Sequence, residues 1–543
     1  MSIFNPKFFT TIKNYSLEQF YKDAIAGIIV AIIALPLSIA LAIASGVSPE
    51  KGLHTAIIAG FVISFLGGSR VQIGGPTGAF MIIVFGVIAK YGIEGLIIST
   101  IMAGIIMIFM GVCGLGKMIK FIPYPITTGF TSGIALVIFS TQIKDFFGLS
   151  ISEVPSEFIG KWEAYFANFG TINWTSTILG VASLLIIVFW PKINRTIPGS
   201  LIALIVITSI AYFLKLDVET IGSKYGELSS ALPRPHIPAL SFGMIKELIQ
   251  PAFTIALLGA IESLLSAVVA DGMIGGKHRS NTELIAQGIG NVASGLFGGI
   301  PATGAIARTA ANVKNGGRTP VSGMVHAVVL LLIMLVFMPY AKLIPLSTLA
   351  AILIVVAYNM SHWRAFKELL SAPKSDIIVL VITFLLTVIV DLVVAIEVGM
   401  VLASLLFMKR MADVTNVNNV YKDIDEDNEE EHIVSSVSKD TLVYEINGPF
   451  FFGAADKFVD VIQEVQGPAK TLILKFTHVP AMDATAYHSL ETLYKTCKVH
   501  NTDLILSGVQ SQPYSVLEKA GFIDKIGEDK IFKDLDEALN TVA

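Results

Sequence analysis

The chain has 543 residues, 53% of them hydrophobic and 15% charged, with a formal net charge of −4 and a mean hydropathy of +0.71. An ordinary soluble domain carries about 25% charged residues, and the deficit here is concentrated between Ala24 and Lys409, which excludes a soluble globular enzyme over most of the chain. The acidic balance argues against a nucleic-acid partner, and the two isolated cysteines, Cys113 and Cys497, supply neither a disulfide framework nor a C-x-x-C metal or redox motif.

In chain order, residues 1–23 form a polar segment expected on the cytoplasmic side, without the cleavage-site pattern of a removable signal peptide. Fourteen apolar spans follow, near 24–44, 52–68, 77–90, 94–115, 121–140, 176–190, 197–214, 249–271, 282–298, 303–315, 321–340, 345–359, 375–391 and 393–408. A helix needs about 20 apolar residues to cross the roughly 30 Å hydrocarbon core, and the segments after Pro76 and Pro301 are too short for that. With the N-terminus inside, the inner loops carry Arg70, Lys117, Lys120, Arg279, Arg318 and Arg364 among others, whereas the short outer loops carry only Lys51, Lys90 and Lys342. Such a bias sets orientation. The even count then puts both termini in the cytoplasm, with the plasma membrane as the expected location. The membrane domain is expected over 24–410 and an acidic linker, with the run DIDEDNEEEH, over 411–440. Between 441 and 543, strand-like TLVYEI, TLILKF and LILSGV alternate with helical FGAADKFVDVIQEV, AYHSLETLYKTCKVH and SVLEKAG. That alternation describes a small cytoplasmic α/β domain.

The two membrane halves repeat. TAIIAGFVISFLGGSRVQIGGPTGAF from Thr55 aligns with TELIAQGIGNVASGLFGGIPATGAIA from Thr282, and Gly304 lies 226 residues after Gly78. Seven spans separate equivalent points, and an odd number inverts the second copy. The expected architecture is therefore a polytopic α-helical membrane protein of about 14 spans in a 7+7 inverted repeat (about 24–214 and 249–409), the plan of many secondary transporters.

Both copies place proline, threonine and glycine where a short helix begins: Pro76, Thr77, Gly78 and Ala79, then Pro301, Thr303, Gly304 and Ala305. Proline suits a first helical turn. A helix starting inside the membrane leaves N–H groups that need a partner, and its dipole favours an anion there. Two such starts meeting at the repeat interface make an anion site built mainly of backbone amides; the plainer reading is Gly-rich packing.

Glu262 lies well inside the eighth span, in LLGAIESLLSAVVADGM, where burying it charged costs several kcal/mol unless it is paired or hydrated. It suits a group that binds a proton or another coupling cation, and Ser266 is one turn later on the same face. The alternative is a structural glutamate bonded to helix ends. Arg308, in AIARTAANVKNGG, either adds positive potential to the anion site or snorkels to the inner surface. Asp271 reads as a cap or loop partner, and Asp391 and Glu397 as structural groups at a turn. By the repeat offset Pro36 is the counterpart of Glu262; it breaks or kinks the first span, and Ser38 beside it offers a hydroxyl to the site.

These stretches resemble the sulfate permease (SulP) family of anion transporters. The resemblance rests on LPLSIALAIASGVSPEKGL from Leu35, VQIGGPTGAF from Val71, IPYPITTGFTSGIAL from Ile122, LLGAIESLLSAVVAD from Leu257 and GGIPATGAIARTAANVKNGGRTPVSG from Gly298. The C-terminal part is similar to a STAS domain, on INGPFFFGAADKF from Ile446 and LILKFTHVPAMDATAYHSLETL from Leu472. The family implies core and gate domains, a midplane anion site between the third and tenth spans, and transport by their relative movement. Thr77, Gly78 and Ala79 match the third-span site, and Thr303, Gly304 and Ala305 the tenth. Glu262 and Ser266 match an eighth-span position where sodium-coupled bicarbonate members have Asp and Thr; both differ here, the glutamate points to H+ as the expected coupling ion, and Na+ is kept as the alternative. Arg308 matches a tenth-span arginine of animal relatives. In the STAS part, MDATA matches the D-S-S-G-like loop of anti-sigma-factor antagonists, with Thr485 at the phosphorylated position. Ala484 and Ala486 depart from that pattern, which favours a helix N-cap role over phosphorylation. On analogy alone, STAS domains imply a homodimer.

The function expected is secondary active transport of a small anion (sulfate, bicarbonate or a dicarboxylate), without a cofactor. The rivals are a nucleobase–cation symporter of the same fold and a membrane anion sensor signalling through the STAS domain. No nucleophile–base pair, metal spacing or phosphate loop points to an enzyme.

Overall fold

The computed structural model describes residues 4–152, 154–155, 157–194, 197–231, 233–239, 241–390, 392–420, 440–452 and 469–542. It divides into two compact units, Met1–Met400 and Val401–Ala543. Asp391 and the segment 453–468, with most of FGAADKFVDVIQEV, lie outside the described residues, as do Arg195 and most of the acidic linker.

The first unit is helical. Its long elements are α1 Leu17–Ala44, α2 Pro49–Leu66, α3 Met81–Val112, α4 Tyr124–Thr141, α5 Trp174–Ile193, α6 Gly199–Phe213, α7 Phe242–Ile274, α8 Ser280–Leu296, α9 Ile306–Lys314, α10 Val321–Ala341, α11 Leu346–Met360 and α12 Lys374–Ile389, and α13 is Leu392–Val414. Each of the fourteen expected spans falls on a helical segment. Two of them share α3, which Gly92 divides with a non-helical φ of 67° and ψ of −168°. Seven described helices are long and apolar enough to cross a membrane by length and composition.

Helix α1 starts at Leu17, ahead of the expected 24. Ser16 caps it by accepting from the Gln19 N–H at 3.2 Å, and buried Asp23 accepts from the Arg318 N–H (2.8 Å) and the Thr319 hydroxyl (2.6 Å). A carboxylate so satisfied tolerates burial. The helix runs unbroken through Pro36.

Helix α8 packs along α3 and α2, and α10 packs against α1 and α2. At the α3–α8 crossing a Cβ on Gly104 would come within 2.6 Å of the Gly288 carbonyl oxygen, and one on Gly288 would strike the Gly104 carbonyl oxygen in return. Small residues let two membrane helices approach backbone to backbone.

The repeats meet at a two-stranded ladder. Strand β1, Gly74–Gly75, pairs antiparallel with β2, Thr303–Gly304, in the register Gly74↔Gly304 and Gly75↔Thr303. The paired strands are not equivalent positions of the repeat: Thr303–Gly304 corresponds to Thr77–Gly78, just beyond β1. Irregular backbone inside a membrane unit must find its hydrogen bonds within the protein, and side chains of the opposite repeat supply them. Glu283 accepts from the N–H groups of Gly68 (2.8 Å) and Ser69 (2.9 Å), and Asn312 donates to the Val71 carbonyl at 2.9 Å. Thr55 accepts from the Ile300 N–H at 2.7 Å. Within the second repeat Asn291 both accepts from the N–H and donates to the carbonyl of Ala302, each at 2.8 Å.

The second unit is α/β. Strands β3 Asn416–Asn419, β4 Thr441–Asn447, β5 Thr471–His478, β6 Asp503–Ser507 and β7 Ile531–Phe532 form one sheet in that order, β3 antiparallel and the rest parallel. The two-residue alternation of β5 sends Leu472, Leu474 and Phe476 to one core and Ile473 to the other. Helix α14, Ala484–Val499, contributes Leu490 and Leu493 to the first core. Helices α15, Ser511–Lys519, and α16, Leu535–Val542, complete the unit. Asp483 caps α14, its carboxylate accepting from the Ala486 N–H at 2.8 Å, whereas Thr485 is exposed in the first turn.

Candidate functional site

Beyond β1 the chain passes Pro76 and Thr77, the latter extended at φ −128° and ψ 160°, and enters a 3-10 turn, Gly78–Phe80, that leads into α3. Beyond β2 it passes Ala305, also extended, into α9, which is only nine residues long. At 1.5 Å per residue α9 measures about 14 Å, under half a hydrocarbon core. The ladder thus brings two short helix starts together. The first N–H groups of each lack intrahelical acceptors by position; that of Ala305 is taken by the Ile73 carbonyl at 2.8 Å.

Every residue of the two motifs is buried except Thr77, which is partly exposed. The Thr77 hydroxyl donates to the Glu262 carboxylate at 2.9 Å, and the Thr303 hydroxyl donates to the Gly259 carbonyl, one turn earlier on α7, at 2.9 Å. Helix α7 therefore braces both helix starts, and Glu262, itself partly exposed, ends on the first. Ser266 is buried and bonds Thr309 at 3.3 Å rather than Glu262. Thr309 in turn accepts from the Ile73 N–H at 3.0 Å.

Arg308 does not snorkel. It is 3% exposed, and one guanidinium nitrogen, Nη2, donates to the Pro76 carbonyl across the repeat interface. The other, Nη1, is buried without a hydrogen-bond partner among the described residues, and it lies where a Cβ on Gly75 would be. No carboxylate pairs with it among the described residues. A cation in that setting raises the local potential for an anion.

Pro36 and Ser38 are buried on α1, and the Ser38 hydroxyl has no partner among the described residues. No hydrogen bond joins either to the Thr77 or Thr303 segment among the described residues. Asp271 holds the loop after α7, accepting from the His278 N–H at 2.8 Å and meeting its ring Nδ1 at 2.7 Å. Glu397 is exposed.

The sequence reading passed over Gln72 and His326. Both are buried, and their polar side-chain atoms lack partners among the described residues. Gln72 packs against Gly304, where a Cβ would collide with its amide. The available signal was the one used for Glu262: a polar residue inside an apolar run.

Comparison with known proteins agrees in extent. Residues 20–383 match the sulfate permease family, and residues 432–538 match the STAS domain. YvdB of Bacillus subtilis, named as a sulfate transporter, is 45% identical over 98% of this chain and 99% of its own length. The bicarbonate transporter BicA of a Picosynechococcus strain is 32% identical over 95% and 94%. The structure of the BicA transmembrane domain, 29% identical, superposes with a TM-score of 0.63 over 72% of this chain and 98% of that one. The structure of SLC26A9, at 19% identity, shares the fold with a TM-score of 0.84 over 98% and 91%. The chain belongs to the sulfate permease family, membrane transporters of anions rather than enzymes, and carries the STAS domain behind its helical unit.

Proposed function

We propose that the chain is a secondary active carrier that moves a small anion across the plasma membrane by alternating access, coupled to a cation bound at Glu262. The observation that carries this reading is the hydrogen bond from Thr77 to Glu262 at 2.9 Å. An anion held at the Gly78 and Ala79 amides would sit beside that carboxylate. Two unit charges about 5 Å apart repel by about 3 kcal/mol at an effective dielectric of about 20. A cation on Glu262 removes the repulsion, so anion and cation bind together. The same arithmetic gives a coupling of about two orders of magnitude in affinity. Ser266 is engaged with Thr309, which leaves Glu262 fewer oxygen neighbours for sodium and favours a proton.

The anion is sulfate, bicarbonate or a dicarboxylate. The names of YvdB and BicA support the first two. Backbone amides select for charge and size, and Arg308 adds positive potential without selecting among oxyanions. Fourteen crossings, cytoplasmic termini and a homodimer complete the proposal, supported by the distribution of lysine and arginine and by family analogy. Uptake of labelled sulfate, bicarbonate and fumarate into proteoliposomes tests the carrier; binding without flux for all three would reject it. Glu262→Gln is expected to keep anion binding measurable and to flatten the pH dependence of uptake. An unchanged pH profile in that variant would remove Glu262 from the coupling.

A further inference from the structure

A cavity with charged groups in a largely apolar lining lies away from the ladder. It has a volume of about 240 Å³ and opens among the C-terminal end of α1, the start of α3 and the N-terminal end of α11. Its lining includes Lys144, Lys161, Lys224, Asp145 and Tyr165, and also Met81, the first residue of α3 after the Gly78–Phe80 turn. Three ammonium groups thus stand against one carboxylate.

The short helix Phe158–Ala167 presents Lys161 and Tyr165 one turn apart on the same face. Lys161 is 6% exposed, and its ammonium has neither ion pair nor side-chain hydrogen bond among the described residues. Burial pulls its pKa below the usual lysine range. Tyr165 is 2% exposed, and its hydroxyl has no partner among the described residues. Burial pushes that hydroxyl up, so it stays a donor at physiological pH. The Trp162 ring packs edge-on against Tyr165, centroids 5.9 Å apart, and holds it in place. The other lysines are engaged: Lys144 donates to the Ile151 carbonyl at 2.5 Å, and Lys224 stands 3.9 Å from Asp145. One wall thus carries the Lys161 ammonium, unpartnered among the described residues, and the buried Tyr165 hydroxyl, while the one carboxylate of the cavity, Asp145, has one oxygen buried without a hydrogen bond and the other already set against Lys224; two donors are left for an acceptor with negative charge. The cavity holds about eight waters at about 30 Å³ each, room for a small oxyanion with part of its hydration shell.

We propose that this cavity is a second anion-binding station, in which Lys161 and Tyr165 ligate a small oxyanion at the outer end of the route to Thr77–Ala79. Its place on the route rests on the transport reading; the binding does not.

The test is amine acetylation of the purified full-length chain, read residue by residue by mass spectrometry, with sodium sulfate or bicarbonate against sodium gluconate at equal ionic strength. At about ten times its dissociation constant either oxyanion is expected to slow labelling of Lys161 by about ten-fold, and to leave exposed Lys519 unchanged. Tyr165→Phe, which removes only the hydroxyl, is expected to weaken that protection. Lys161→Gln is expected to raise the KM of uptake several-fold at constant kcat, and Lys161→Arg to restore it. Equal labelling of Lys161 with and without both oxyanions overturns the station, even if uptake proceeds. Protection without uptake of any anion keeps the station and overturns the carrier reading instead.

Discussion

Replacing Arg308 separates binding from stability in one variant. In Arg308→Met the apolar stem keeps most of the volume and the guanidinium is lost. Two things disappear: the hydrogen bond to the Pro76 carbonyl and a buried charge without a carboxylate partner among the described residues. Leaving Pro76 unpaired costs about 1–3 kcal/mol. Removing an uncompensated buried charge recovers several kcal/mol of desolvation, in contrast to breaking a buried ion pair, which costs about 3–5 kcal/mol. The melting temperature of the anion-free protein should therefore stay level or rise. Anion binding should fall by about 10- to 100-fold, the worth of one charge-assisted contact at about 1.5–3 kcal/mol. Thermal unfolding in detergent, with and without anion, reads both quantities in one experiment. A variant that melts far below the parent while binding its anion equally well would refute the reasoning, because Arg308 would then be a structural cross-link between the repeats.

Three further outcomes follow from packing, capping and burial. Gly104→Leu should lower thermal stability by about 2–3 kcal/mol through overpacking against α8, whereas Gly86→Ala, with open space around its Cβ, should be neutral or stabilising by about 0.5–1 kcal/mol; equal melting of the two refutes the close crossing. Asp483→Ala should cost about 0.5–2 kcal/mol and speed amide exchange in the first turn of α14, while Thr485→Ala leaves exchange unchanged. Burial pushes the Cys497 thiol up to about 12, so native-state maleimide labelling should reach exposed Cys113 and spare Cys497 up to pH 9. The unfolded thiol ionises near about 8.5, so this group's contribution to stability is full below that pH and is lost as pH rises towards 12. Rapid native labelling of Cys497 would contradict its burial.

Much of the site was legible because its features are local. A proline and a threonine–glycine pair before a short apolar run mark a helix start whichever helices surround it, and the repeat points to its counterpart. Glu262 was legible for the opposite reason, since a carboxylate in an apolar run stands out by cost alone. Arg308 kept two readings in the sequence because a long cationic side chain near a helix end reaches either way. Only packing shows that it turns inward onto Pro76. Ser266 went to Thr309 for the same kind of reason: helical periodicity places it on the face of Glu262, but hydroxyl pairing is settled by which neighbour comes within about 3 Å.

Composition, span pattern and the repeated Pro–Thr–Gly frame were sufficient, by themselves, for a polytopic membrane protein with inverted halves, two short helix starts and an α/β tail, a plan shared by many secondary transporters. These properties follow from hydropathy, periodicity and backbone chemistry, each of which acts over a few residues. The tertiary structure alone decided the Gly75↔Thr303 ladder register, the Thr77–Glu262 bond and the inward turn of Arg308. It also brought Lys161 and Tyr165, from the segment that joins α4 to α5, to the wall of one cavity. Those contacts join residues as many as 232 positions apart, and no local pattern specifies which of several polar side chains will meet once the helices pack.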